Sequence, residues 1–196
     1  MLKYNSEQSF IATVQSQVTD HEGFWDCGEL VMMPSTDNPG GPDVLHRKSV
    51  DWLTLSDYDG REPHRFWFRC FEDTRQGIRG YDIQSWSRRE GVDFNNSGRR
   101  LQLSHNGYVG LYEASSPLET LWYPAVVEDG ELKDIEARLG PIESVEIATH
   151  RGTVLTGYSR HQIGDHWYCY VAEGGHPVLQ FTLDILVVGE PLRDDH

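Results

Sequence analysis

Cysteine is scarce. The 196 residues hold three, Cys27, Cys70 and Cys169, an odd number set far apart. That excludes a dense disulfide framework and a CxxC metal or redox centre. Free buried thiols are the simpler reading, and they point to a reducing compartment, the cytoplasm. No apolar run is long enough to cross a membrane. The first residues, Met1-Leu2-Lys3-Tyr4-Asn5-Ser6-Glu7, lack the apolar segment of a secretory signal. Basic residues are also few. Seventeen Lys and Arg face 31 Asp and Glu, a net charge of −14. Such a field repels phosphates at long range, so neither nucleic acid nor an anionic membrane is an expected partner. The nine His form no His-Glu-x-x-His or other metal motif; His161 and His166, five apart, are expected on opposite faces of one strand. There is no Gly-x-Ser-x-Gly elbow and no Gly-rich loop ending in Lys-Ser or Lys-Thr. The expectation is no metal and no cofactor.

What is present suits a folded domain. Hydrophobic residues make up 38%, with six Trp, nine Tyr and seven Phe, which argues against disorder. The length fits one domain, residues 1–196, able to bury a core without disulfides. Charge is uneven. Residues 1–46 carry one basic and seven acidic side chains, 47–100 carry eleven and nine, and 101–196 carry five and fifteen. The middle third is Arg-rich: Arg65, Arg69, Arg75, Arg79, Arg88, Arg89, Arg99 and Arg100. Either these pair with local carboxylates on solvated strands, or they form an anion-facing patch for a ligand carboxylate, which the planar guanidinium fork suits.

Phe10, Ile11, Val14 and Val18 follow a 3.6-residue period, so a helix is expected at about residues 6–20, capped by Asn5 or Ser6 and stopped by Gly23. A strand follows through Phe24, Trp25, Cys27, Leu30, Val31 and Met32. Gly23-Phe24-Trp25 at the first strand, behind a short helix, resembles the start of lipocalin-like (calycin) barrels. The resemblance covers about residues 5–35 and implies that Trp25 plugs the closed end of a barrel.

Further strands are expected at Val50–Leu55, Arg65–Phe71, Tyr81–Trp86, Leu121–Val127, Ser144–His150, Thr153–Tyr158, Trp167–Ala172 and Val178–Val188, from alternation or apolar density. Pro34–Asp43 is a loop by composition. Asp57-Tyr58-Asp59-Gly60 is a turn; it resembles a fragment of a calcium loop without the later bidentate Glu. Asn95–Gly98 is another turn. Asn106-Gly107 fits a two-residue type I′ hairpin, with His105 facing Tyr108, Leu103 facing Gly110 and Leu101 facing Tyr112. Gly130–Leu139 reads as a short late helix with Asp129 at its cap, and residues 190–196 as a polar tail.

The fold class is therefore mainly β: an antiparallel up-and-down β-barrel with an N-terminal helix and one short late helix. A β-trefoil is an alternative, on a faint echo among Arg65–Phe68, Glu119–Trp122 and Leu179–Thr182. A β-sandwich is another. A barrel interior would gather rings from several strands with a few polar groups. Trp67, Arg69, Trp86, Tyr112 and Trp122 are the candidate ligand-binding residues. His105, His150 and Tyr158 are the candidates for proton transfer or carbonyl orientation. The leading function is binding of a small, largely apolar molecule with one or two oxygens. The alternatives are an isomerase or cyclase acting on such a molecule, and a carbohydrate-binding module. Oligomeric state is left open.

Overall fold

The segment expected as the first helix is a strand. In the computed structural model, which describes residues 1–86, 99–113 and 120–189, Phe10–Ser16 forms β2. Phe10, Ile11, Ala12, Val14 and Ser16 are all buried, so both faces of the strand pack. With two buried faces, alternation disappears from the sequence and the apolar spacing mimics a helix. What remains helical is one 3₁₀ turn, Ser6–Gln8, where the Asn5 side chain accepts from the Gln8 amide at 3.3 Å. The turn at Asn95–Gly98, Arg88, Arg89, Glu119 and the tail at 190–196 lie outside the described residues.

The remaining strands run in chain order. They are β1 (Leu2–Tyr4), β3 (Gly23–Met33), β4 (Val44–Ser56), β5 (Arg65–Asp73), β6 (Ile78–Trp86), β7 (Arg100–Leu103) and β8 (Val109–Tyr112). Then come β9 (Tyr123–Glu128), β10 (Glu131–Asp134), β11 (Gly140–Ala148), β12 (Leu155–Ile163), β13 (His166–Glu173) and β14 (Phe181–Val188). The protein is mainly β, as expected, and every strand pairing is antiparallel. Pairing runs β2–β5–β6–β7–β8–β4–β3 and back to β2, which closes a ring. Beyond β2, the sheet continues through β14, β11, β9 and β10, while β12 and β13 join at β4. No helix among the described residues is long and apolar enough to cross a membrane.

β2 is the hub. One of its edges is taken by β14 along Phe10–Ser16. The other edge is shared in tandem: β5 pairs with Phe10–Ala12 and β3 with Gln15–Ser16. Trp25 sits at this fork, 1% exposed, its ring edge-on to Phe66 and to Phe181 with centroids 5.3 Å from each. One apolar core spans all these strands, and Trp25, Trp122, Tyr81 and Phe10 are among its largest members.

Two glycines act otherwise than expected. Gly23 does not enter the left-handed region. It opens β3, and a Cβ there would lie 2.4 Å from the Ser56 carbonyl oxygen, so the residue permits close backbone approach. The type I′ turn is at Asp129-Gly130, φ 54° and 81°, between paired Glu128 and Glu131. It makes a β9–β10 hairpin of what was expected as the late helix; Asp129 is a turn residue, not a cap. The Asn106-Gly107 connection is longer. The Gly107 amide donates to the Ser104 carbonyl and Gly107 alone has positive φ, 83°. This shifts the hairpin register to Arg100↔Tyr112, Leu101↔Leu111, Gln102↔Gly110 and Leu103↔Val109.

All three cysteines are free and buried, as expected, and burial pushes the Cys70 and Cys169 thiols up to about 11. Trp25→Ala is expected to cost about 3–5 kcal/mol in urea denaturation, as for other large aromatic truncations in cores; a loss under ~1 kcal/mol would show that the fork does not depend on this ring. Gly107→Val should cost about 1–3 kcal/mol, because a β-branched residue is strained at positive φ. Wild-type stability in that variant would contradict the assigned turn.

Candidate functional site

Strand alternation sorts the expected ligand residues onto two faces. On β5, Phe66, Phe68 and Cys70 enter the core, so Arg65, Trp67, Arg69 and Phe71 take the other face. On β6, Tyr81 and Ile83 enter the core, leaving Asp82, Gln84 and Trp86 outside it. The register then aligns one row across four strands: Trp67↔Gln84, Gln84↔Arg100 and Arg100↔Tyr112. Trp67, Arg69, Trp86 and Tyr112 thus share a face. Trp122 does not; it is 1% exposed in the core, where its indole N–H donates to the Leu101 carbonyl at 3.1 Å.

At the centre of the shared face is Asp82, fully buried. Its carboxylate accepts from Arg69 at 3.1 Å, from Arg100 Nε at 2.7 Å and from the Gln84 amide at 3.0 Å. The Arg69 guanidinium also lies over the Trp67 ring at 5.1 Å and the Phe71 ring at 5.7 Å. Burial draws Arg69 below its ordinary range, while Asp82 opposes that shift. Two buried donors on this face, Arg69 Nε and Gln102 Nε2, meet no acceptor among the described residues. Leaving such donors unmet costs about 1–3 kcal/mol each. Tyr112, 37% exposed, and half-buried Trp86 mark where this face opens.

The expected proton-transfer residues are not gathered there. His105 and His150 lie on exposed turns. Both turns abut Glu173, whose amide donates to the Gly107 carbonyl and whose carboxylate accepts from Arg151 at 2.7 Å. Tyr158, 46% exposed on β12, stands edge-on to Tyr108 at 5.2 Å. Tyr108 also contacts Trp52 and Tyr170 at 5.8 and 5.9 Å, and Tyr170 donates to Glu29 at 2.5 Å. His161 and His166 are on two strands of one hairpin, β12 and β13, not on one strand.

A second polar centre went unnoticed in the sequence. A β-bulge at Cys27 interrupts β3, between Asp26 and Gly28. The Thr54 hydroxyl repairs it, donating to the Gly28 carbonyl at 2.7 Å and accepting from the Gly28 amide at 3.3 Å. Gly28 has no side chain, and the Arg47 guanidinium crosses that space. Arg47 reaches Asp26 through two bonds, 2.6 and 2.7 Å. Arg61 adds one at 2.6 Å and the Cys27 amide one at 2.7 Å. Burial pushes the Asp26 carboxyl up; hydrogen bonding to Arg47 and the charges of Arg47 and Arg61 outweigh it and hold the carboxyl below its usual range. Beside this cluster, between β3, the end of β4 and the loop 57–64, is a cleft of about 190 Å³. Asp57, Tyr58 and Asp59, from the stretch expected as a turn, form part of its border. The isolated Asp26 and the scattered Arg residues gave no local motif; only the bulge and the cross-strand register join them.

Because the folded carboxyl of Asp26 is depressed, its stabilising contribution is full above the unfolded value near ~3.9 and is lost as pH falls through the folded value. Asp26→Asn should cost about 3–5 kcal/mol at neutral pH, since it breaks a buried pair on one side. The gap between variant and wild type should narrow as pH drops below ~4. Urea midpoints measured across that range check this; a gap independent of pH would contradict it.

Comparison with known protein families, with curated proteins and with solved structures finds no match to this chain.

Proposed function

We propose that this protein is a small-molecule-binding β-barrel whose ligand is an aromatic or otherwise largely apolar molecule bearing one anionic oxygen group. The observation that carries the reading is the row Trp67–Gln84–Arg100–Tyr112, with Arg69 and Gln102 holding buried donors that no described group satisfies. Rings supply apolar contact, and the donors orient a carboxylate or carbonyl oxygen. The Arg-rich middle third is in this reading an anion-facing patch. Its ligand residues are Trp67, Arg69, Trp86 and Tyr112, with Gln84, Arg100 and Gln102 added. Binding is preferred over isomerase or cyclase chemistry because His105 and His150 stand on exposed turns. The three buried thiols suit a reducing, cytoplasmic setting. The lipocalin-like likeness is proposed at the level of architecture alone, since β2 stands where that family's leading helix was expected.

A second reading has its own support. Trp52, Tyr112 and Tyr158 are 37–46% exposed, and Tyr108 gathers Trp52, Tyr158 and Tyr170 around it. Rings with polar tips and a neighbouring carboxylate, Glu29, also suit stacking on sugars.

Titration with a naphthoate, and with the matching neutral naphthamide, separates these readings. The naphthoate should quench Trp emission saturably and bind at least about tenfold more tightly than the amide, the scale of a charge-assisted hydrogen bond. Arg69→Gln should erase most of that difference while the far-ultraviolet spectrum stays unchanged. No saturable quenching by either compound, with cooperative unfolding intact, would overturn the proposal and favour the sugar-binding surface.

A further inference from the structure

The cleft beside Asp26 is separate from the Trp67–Tyr112 face, and its chemistry differs. Its inner wall is rich in donors. Trp25 borders it, and the Trp25 indole N–H is buried without an acceptor among the described residues. Asp26, the adjoining residue, is already committed, accepting from the Cys27 amide, Arg47 and Arg61. Arg61 and His64 border the cleft as well. A guanidinium only donates, so the contact of 3.3 Å from Arg61 to His64 Nδ1 makes that nitrogen the acceptor. The neutral His64 ring then carries its proton on Nε2. The unmet Trp25 N–H, beside the donor-only guanidinium of Arg61 and the His64 ring, suits an acceptor-only group, which is the chemistry of a carboxylate.

The mouth has the opposite character. Asp57, Asp59 and Glu62 border it, and the side chains of Asp59 and Glu62 are 89% and 88% exposed. Asp57 is held in place by the Trp167 amide, which donates to its Oδ1 at 2.7 Å. Carboxylates so placed attract an ammonium group. Phe24 and Pro63 add apolar lining. A cleft of about 190 Å³ suits a small molecule.

We propose that this cleft binds a small zwitterion, a free α-amino acid, with its carboxylate toward Trp25, His64 and Arg61 and its ammonium toward Asp57, Asp59 and Glu62. A single-charge ligand would use only one end. An amino acid carries both charges.

Calorimetric titration of the full chain with the standard free L-amino acids, one at a time, tests this. At least one should bind saturably, with a dissociation constant in the millimolar range or tighter. Its N-acetyl and its amide derivatives, each lacking one charge, should bind at least about tenfold more weakly. Trp25→Phe keeps a ring in the core and removes the N–H; it should weaken the parent amino acid several-fold. Asp59→Asn changes an exposed side chain and leaves the fold intact; it should weaken the parent amino acid and leave its N-acetyl derivative unaffected. Neither variant should alter naphthoate binding, which separates this site from the Trp67 face. No binding by any amino acid up to its solubility limit overturns the proposal. So does equal binding of the parent and its two derivatives, or unchanged affinity in both variants.

Discussion

The edge of β2 is the constraint on which the rest depends. A strand has two rows of backbone donors and acceptors, and both must be met when the strand is buried. Along Phe10–Ser16, β14 meets one row throughout. The other is divided, β5 covering its first half and β3 its second. Two strands cannot occupy one edge at the same place, so β3 and β5 must diverge there. The ring through β4, β8, β7 and β6 reconnects them. Trp25 fills the fork between them, its ring held by Phe66 from β5 and Phe181 from β14.

Both polar centres lie on the strands of this ring. Asp82 is on β6 and Asp26 on β3, and each gathers two arginines from distant points in the chain. Removing a carboxylate from water is costly unless it is paired, and each of these two meets two guanidinium groups. Neither cluster is a cheap source of stability, because a well-packed apolar substitute would serve as well. Their consequence is an array of donors beside aromatic rings at Asp82, and donors beside a cleft at Asp26. Both proposed ligands would present a carboxylate to these donors.

Several features were legible because they are local. Alternation at Arg65–Phe71 and Tyr81–Trp86 marks β5 and β6, and it already puts Trp67 with Arg69 on one face. The unbroken apolar face of Phe181, Leu183 and Ile185 marks β14. Other features misled because different structures share one local pattern. The spacing of Phe10, Ile11, Val14 and Val18 is that of an amphipathic helix and equally that of a strand buried on both faces. Asp129-Gly130 serves as a cap before a helix and as a type I′ turn before a strand; φ at both residues decides it. Gly23 was read through its freedom at positive φ, whereas the Ser56 carbonyl against its Cα is the reason for it.

Composition and alternation by themselves determined the mainly β class, the apolar core, the free cysteines and the gathering of Arg in the middle third. These depend on neighbours in sequence or on residue counts, and need no knowledge of partners. Only the tertiary structure decided which strand edges join, where the Cys27 bulge falls, and that Arg47 and Arg61 converge on Asp26. It alone moved Trp122 to the core and left Trp67, Arg69, Trp86 and Tyr112 together on the other face. Such facts rest on register, and shifting register by one residue exchanges the two faces of a strand. The pairings that set it here lie far apart in the chain, from Phe10 with Phe68 to Val14 with Leu183, and no local pattern encodes them.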